Sequence, residues 1–178
     1  MDTKTAERAE KLIDRAEAMT LLSTKAMSYW SLIRFIFQIP LIVTSSAMCI
    51  LNSFDDGKGN MKIPNVIVNG LSVLLISMQQ QMKVSEKYEL FKKLSAEYLA
   101  IAHTIEGLEP EQITRDVVNN LQDKYDALQS QYLFEDTPTY CKREVIKAFE
   151  SKCLPLQLNG ASGIKRNSSN LSLKASIV

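Results

Sequence analysis

Two stretches, FIFQIPLIVTSSAMCILNSF (residues 35–54) and IPNVIVNGLSVLLISMQQQM (residues 63–82), decide how this chain is read. Neither contains a charged side chain, and about 20 helical residues at 1.5 Å rise cover the ~30 Å hydrocarbon core of a bilayer. The polar turn Asp55-Asp56-Gly57-Lys58-Gly59-Asn60 separates them, within a linker (55–62) too short for a folded domain. The pattern predicts an all-α membrane protein organised on a two-helix transmembrane hairpin, with long helical extensions that form a small aqueous helical bundle.

The whole-chain composition hides this. With 178 residues, a net charge of +1 and 23% charged residues, the average is that of an ordinary soluble domain. The apolar residues are instead concentrated in the two runs. Near-neutral charge gives no basic face of the kind nucleic acid requires. The three cysteines, Cys49, Cys141 and Cys153, are an odd number with one inside a span, which suits a reducing compartment rather than a disulfide framework. The first apolar run starts behind a charged helix and is too long for a signal-peptide core.

Polar residues inside the spans fall on two stripes. On the first run Gln38, Ser45, Cys49 and Asn52 are spaced seven, four and three; on the second Asn65, Asn69, Ser72 and Gln79 are spaced four, three and seven. In hydrocarbon these groups need partners. Two readings stand. The stripes face each other across a monomeric hairpin, or they line a wet path in an oligomer. The lack of charge in either span argues against a proton relay, voltage sensor or ion-coupled transporter. A soluble protein with a buried apolar hairpin is a third, weaker reading. Pro40 removes a backbone donor and should kink the first span. Pro64 suits the first helical position of the second.

Tyr29, Trp30, Arg34 and Lys83 flank the runs where interfacial anchors belong. Lys25 and Arg34 before the hairpin, with Lys83, Lys87, Lys92 and Lys93 after it, outnumber Lys58 and Lys62 in the turn. The positive-inside rule then places both termini on the cytosolic side.

The remaining segments read as helices. Residues 1–34 form an amphipathic helix whose narrow face is Ala6, Ala9, Ile13, Ala16, Thr20, Ser23, Met27 and Trp30, suited to close packing against another helix. From 83 to 152 an aqueous helical region follows. The second span continues without a break, with Val84, Phe91, Tyr98 and Ile105 seven apart and Tyr88 on the same bundle face. Gly107 is expected in a left-handed stop, and Pro110 opens a helix to Tyr132. Cys141, Val145, Phe149 and Cys153 mark a short helix after Thr137 and Pro138. The tail, 153–178, is rich in Ser, Asn and Lys, and its composition alone predicts disorder.

No catalytic constellation is present. The single histidine, His103, lacks ligand-spaced partners or a nucleophile, no glycine loop cradles phosphate, and the Asp-Asp-Gly turn lacks the spacing of a calcium loop. The expectation is a non-enzyme with no cofactor, no catalytic or metal site, no nucleic acid and no small-molecule substrate. Its partners are the lipid bilayer and a homo-oligomer or larger protein assembly.

The run Gln81-Met82-Lys83-Val84-Ser85-Glu86-Lys87-Tyr88-Glu89-Leu90-Phe91-Lys92-Lys93-Leu94-Ser95-Ala96-Glu97-Tyr98, entered from a two-span hairpin, resembles the SLATT two-transmembrane domains. Val68-Asn69-Gly70-Leu71 ahead of it is similar to versions encoded by large DNA viruses. The resemblance covers about residues 20 to 135. It implies a membrane effector that oligomerises into a pore, and for a virus-encoded member a place in the virion or the host-cell membrane. The chain departs from that family pattern in having no fused sensor or nucleotide-binding domain. Two functions are therefore expected in competition. One is a two-pass structural or scaffolding protein, a viral membrane or virion component docking partners through its cytosolic helices and tail; the other is a SLATT-like pore-forming effector.

Overall fold

The computed structural model describes residues 3–53, 62–149, 152–155 and 158. The linker between the apolar runs and most of the Ser/Asn/Lys-rich tail lie outside the described residues, as do the side chains of Leu51, Asn52 and Lys62. Among the described residues there are no strands. Five helices follow one another: α1 (Thr3–Ser53), α2 (Lys62–Gln81), α3 (Val84–Glu106), α4 (Arg115–Gln131) and α5 (Thr139–Ala148).

α1 is continuous over 51 residues and passes through Pro40 without interruption. Its first thirty residues carry a buried seam, Thr5, Ala9, Leu12, Ala16, Met19, Ser23, Ala26 and Trp30, spaced alternately four and three. The seam is wider and rotated relative to the sequence reading. Ala9, Ala16, Ser23 and Trp30 are buried as expected, but Ala6, Ile13, Thr20 and Met27 sit on its flank, half-buried, while Leu12, Met19 and Leu22 carry the bulk. Three of every seven positions make a globular helix face, and choosing one phase from small residues alone selects half of it. Ser23 is fully buried because its hydroxyl donates to the Met19 carbonyl (2.7 Å), which satisfies a group otherwise costly to bury.

α3 packs along this seam in the opposite direction. Thr24 meets Ser95 (Oγ1 to Oγ, 2.8 Å), Lys87 lies over the Trp30 ring, and Arg34 lies over the Tyr88 ring, so the early part of α1 meets the later part of α3 and the middle of α1 meets its start. Phe91, Tyr98 and Ile105 are buried and Tyr88 is half-buried. α4 returns antiparallel to α3, pairing Glu97 with Lys124 (3.0 Å), Tyr98 with Tyr125 (ring centres 5.5 Å) and Phe91 with Tyr132 (5.4 Å). α5 lies against α1 through Lys25–Glu144 (2.6 Å) and the edge-on rings of Tyr29 and Tyr140. Lys152 then reaches Glu17 (2.8 Å) and Asp14 (3.4 Å), Cys153 N–H donates to Asp14, and Pro155 and Leu158 are buried. The result is a four-helix bundle of the first part of α1 with α3, α4 and α5, whose buried Leu, Met and Phe side chains each contribute about 1.5–3 kcal/mol.

Three local expectations differ. α2 and α3 are not one helix: Lys83 takes a left-handed conformation (φ 51°, ψ 39°), its N–H bonding the Gln80 carbonyl three residues back while its own carbonyl accepts from Lys87 N–H. Apolar periodicity runs on through such a break because one residue of altered handedness hardly changes the seven-residue spacing. Gly107 is right-handed (φ −79°, ψ −8°), α3 ending with a tightened Leu108 N–H to Ile105 carbonyl bond, so no left-handed residue is needed. α4 starts at Arg115 rather than Pro110, because the Thr114 hydroxyl accepts from Val117 N–H (3.4 Å) as its cap. On this helix Val118 is buried and Val117 half-buried.

Burial pushes the phenols of Tyr98, Tyr125 and Tyr132 well above the usual tyrosine range. A folded-state value above the unfolded one means stability that is complete below pH ~10 and is lost as pH rises further. Alkaline titration should show these three tyrosinates forming only together with loss of helical circular dichroism. Tyrosinate absorbance from all six tyrosines with the helix signal intact would refute this packing.

Candidate membrane-anchoring hairpin

Just beyond Trp30, Ile33 and Phe37 still pack against the bundle core and Arg34 lies over Tyr88; past them α1 runs on beside α2. The facing positions are half-buried: Phe37, Leu41, Thr44 and Met48 on α1, and Asn65, Val68, Ser72, Leu75 and Gln79 on α2, spaced by fours and threes. A side-chain hydrogen bond crosses the seam, Ser72 Oγ to Thr44 Oγ1 at 3.1 Å, the same hydroxyl proton being shared with the Val68 carbonyl (2.9 Å).

The two polar stripes therefore do not meet as a matched pair. Three members of the α2 stripe, Asn65, Ser72 and Gln79, lie on the side facing α1, and Asn69 is exposed. On α1, Gln38 is half-buried, Ser45 and Cys49 are exposed, and the Asn52 side chain lies outside the described residues. Thr44, absent from the stripe read from sequence, supplies the contact. A signal for it existed: Phe37, Leu41, Thr44 and Met48 share a heptad face, but the three polar neighbours Gln38, Ser45 and Cys49 on the adjacent face outweighed it. Ser46, Ser53 and Ser77 return their hydroxyl protons to carbonyls four residues back, which hides their polarity from the surroundings.

The outer surface is apolar. Ile42 is 65% exposed, Ile63 73% and Val66 71%, against 0% for Leu22 and Phe91 in the bundle, and further exposed residues include Phe35, Ile36, Ile39, Val43, Ile50, Ile67, Val73 and Leu74. Two helices are long and apolar enough to cross a membrane, and neither apolar window is buried by the rest of the chain. So many large apolar side chains exposed on two adjacent helices are unlike the scattered single ones of an ordinary soluble surface.

At the junction with the bundle, the four expected anchors separate. Trp30 is only 5% exposed; its indole N–H donates to the Asp136 carbonyl (3.2 Å), and the Lys87 ammonium, 4.5 Å from its ring centre, also holds the Asp136 carboxylate (2.7 Å). A tryptophan so enclosed locks the turn after α4 to α1 and spends its ring on protein contacts. No sequence spacing signals this cluster, since 106 residues separate Trp30 from Asp136. Tyr29 is half-buried between Trp30 and Tyr140. Arg34 stacks at 5.7 Å over Tyr88, and Lys83 is exposed, loosely paired with Glu86 (3.7 Å). A groove of about 340 Å³ lies at the α2–α3 bend, bounded by Ile76, Gln79 and Lys83.

Among the described residues no group of three or more His, Cys, Asp or Glu side chains is placed to hold a metal. Burial raises the Cys141 thiol, a reason for inertness rather than reactivity. His103 is exposed at the end of α3, 3.4 Å from Glu106. Compared with protein-family models, curated proteins and solved structures, the chain matches none.

Substitutions at two positions test the junction. Trp30→Ala should destabilise the bundle by about 3–5 kcal/mol, as for a large buried aromatic, seen in thermal melts followed by circular dichroism. Lys83→Gly should stabilise by up to about 1 kcal/mol by removing left-handed strain, whereas Lys83→Val should destabilise; equal melting of all three side chains at position 83 would argue against the bend.

Proposed function

We propose that this protein is a two-pass membrane-anchored scaffold: α2 and the second part of α1 lie in the bilayer, and the four-helix bundle stands on one side to dock partner proteins. The observation that carries this reading is the contrast between the two halves of α1. Up to Trp30 its apolar face is covered by α3, α4 and α5; beyond Trp30 only Ile33 and Phe37 among the described residues of α1 still touch that core, and most of its large apolar side chains, with those of α2, are exposed. Lipid is the solvent in which that surface costs nothing, and water is the solvent for the charged exterior of the bundle. The lysine and arginine balance favours the bundle and both termini on the cytosolic side. Location in a virion or host-cell membrane rests on the resemblance alone.

A second reading, a SLATT-like pore built from several hairpins, is favoured by Asn69, Ser45 and Cys49, which project from the outer surface of the hairpin rather than into its seam. In hydrocarbon an exposed amide gains from a partner on another chain, about 0.6 kcal/mol in typical cases and up to ~2.

One set of experiments tests both. The full chain should remain in the membrane pellet after carbonate extraction and leave it with detergent; recovery in the soluble fraction would sink both readings. Reconstituted into liposomes, the scaffold leaks no ions, and Asn69→Leu and Ser45→Leu leave it unchanged. An oligomer whose flux falls with those substitutions would replace the scaffold with the pore.

A further inference from the structure

The far end of the bundle carries a feature that membrane anchoring does not use. Between α1 and α4 lies a cavity of about 260 Å³, lined on one side by Arg8, Lys11 and Arg15 and on the other by Asn119 and Gln122. Leu12 and Val118 form its apolar floor. The spacing of three, four and seven residues is what puts all three cations on one face of α1. Lys11 is paired with Glu7, one turn away. Neither Arg8 nor Arg15 has an ion-pair partner among the described residues, and the acids Asp14 and Glu17 of the same helix are paired with Lys152.

Two buried polar groups at this place lack partners. Arg15 Nε, on the cavity wall, is shielded from solvent with no acceptor, and behind the wall the hydroxyl of Tyr125, like that of its ring partner Tyr98, is also unpaired. Buried donors in folded proteins are nearly always satisfied by protein, water or ion, and a guanidinium nitrogen is the costliest of them to leave alone. Three cations less the Glu7 charge leave a surplus of two positive charges around the cavity.

We propose that this cavity binds a small phosphate monoester, the dianionic phosphate held by Arg8, Lys11 and Arg15. The planar fork of an arginine matches phosphate oxygens two at a time, which an ammonium alone does not. The cavity exceeds what inorganic phosphate fills, and it approaches the size of pockets that hold small organic ligands. Asn119 can donate to and accept from hydroxyls of the ester. Gln122, whose amide N–H is directed to Asp126 (3.0 Å), presents its carbonyl as an acceptor. The apolar floor suits the carbon skeleton. This inference departs from the sequence reading, which sees no small-molecule partner, because the cation face of α1 reads in one dimension as a solvated surface.

Phospholipid headgroups share the chemistry but not the position. Arg15 precedes Leu32, where large exposed apolar residues begin, by 17 residues. That is about 26 Å along the continuous helix, whereas the headgroup layer extends only about 5–8 Å beyond the hydrocarbon.

The test is calorimetric titration of the full chain in phosphatidylcholine nanodiscs, at constant ionic strength, with ribose 5-phosphate, inorganic phosphate and ribose. One site per chain is expected, tighter for ribose 5-phosphate than for phosphate and absent for ribose. Arg8→Gln, at an exposed position that folding does not need, and Arg15→Gln should each weaken it about tenfold or more, while Arg143→Gln, on the exposed side of α5, should leave it unchanged. No saturable binding of either anion would overturn the assignment, as would equal affinity in Arg8→Gln. Displacement of ribose 5-phosphate by a glutamate-rich peptide but not by phosphate would assign the face to an acidic protein instead. Loss of binding in phosphatidylglycerol nanodiscs alone would assign it to lipid. None of these outcomes bears on whether the hairpin spans the bilayer.

Discussion

Along the first thirty residues of α1 an alternation of four and three brings Ala9, Leu12, Ala16, Met19, Ser23 and Ala26 onto α3, and the rest of the molecule is placed by that antiparallel contact. Small residues let the two backbones approach. Leu12, Met19, Phe91 and Leu94 then fill the space between them. Because α1 does not end where the bundle ends, the same helix fixes the direction in which the hairpin leaves. α4 and α5 add to a pair already defined, α4 through stacked aromatic rings on α3 and α5 through ion pairs and tyrosine edges on α1.

The Trp30, Lys87 and Asp136 cluster is the hinge between the two environments. It joins three segments distant in sequence: the middle of α1, the start of α3 and the turn before α5. Below it only two helices continue, with Lys83 left-handed at the bend that returns α2 to the bundle. A strained residue persists where its surroundings fix it from both sides, here the ends of two helices whose other contacts are already set. The bundle and the hairpin thus have separate sources of stability, buried apolar area in one and the surrounding solvent in the other.

In the hairpin the polar side chains divide in a way that bears on assembly. Ser72 meets Thr44 within the chain, and the serines that bond back to their own helix present little polarity to their surroundings. Asn69 cannot do this with its amide, and Gly70 beside it has open space around its Cα. An amide next to a position with no side chain lets another helix come close, which is where the scaffold and pore readings diverge.

What the sequence determined by itself is whatever depends on composition over one or two turns: helical content, the two apolar runs, the heptad positions Phe91, Tyr98 and Ile105, and the short helix after Pro138. Those follow from local periodicity and hydrophobicity, which a window of residues contains in full. Tertiary structure alone decided what depends on a partner far along the chain or on a single backbone angle. Trp30 reads as an interfacial anchor until the turn carrying Asp136 covers it, and Thr44 instead of Ser45 faces the second span because the pairing of two helices, not one stripe, sets the phase. The bend at Lys83 is invisible to a pattern that continues across it, and Arg15 Nε is shielded and left without an acceptor only when α4 is laid against α1, the rest of that side chain staying half-buried.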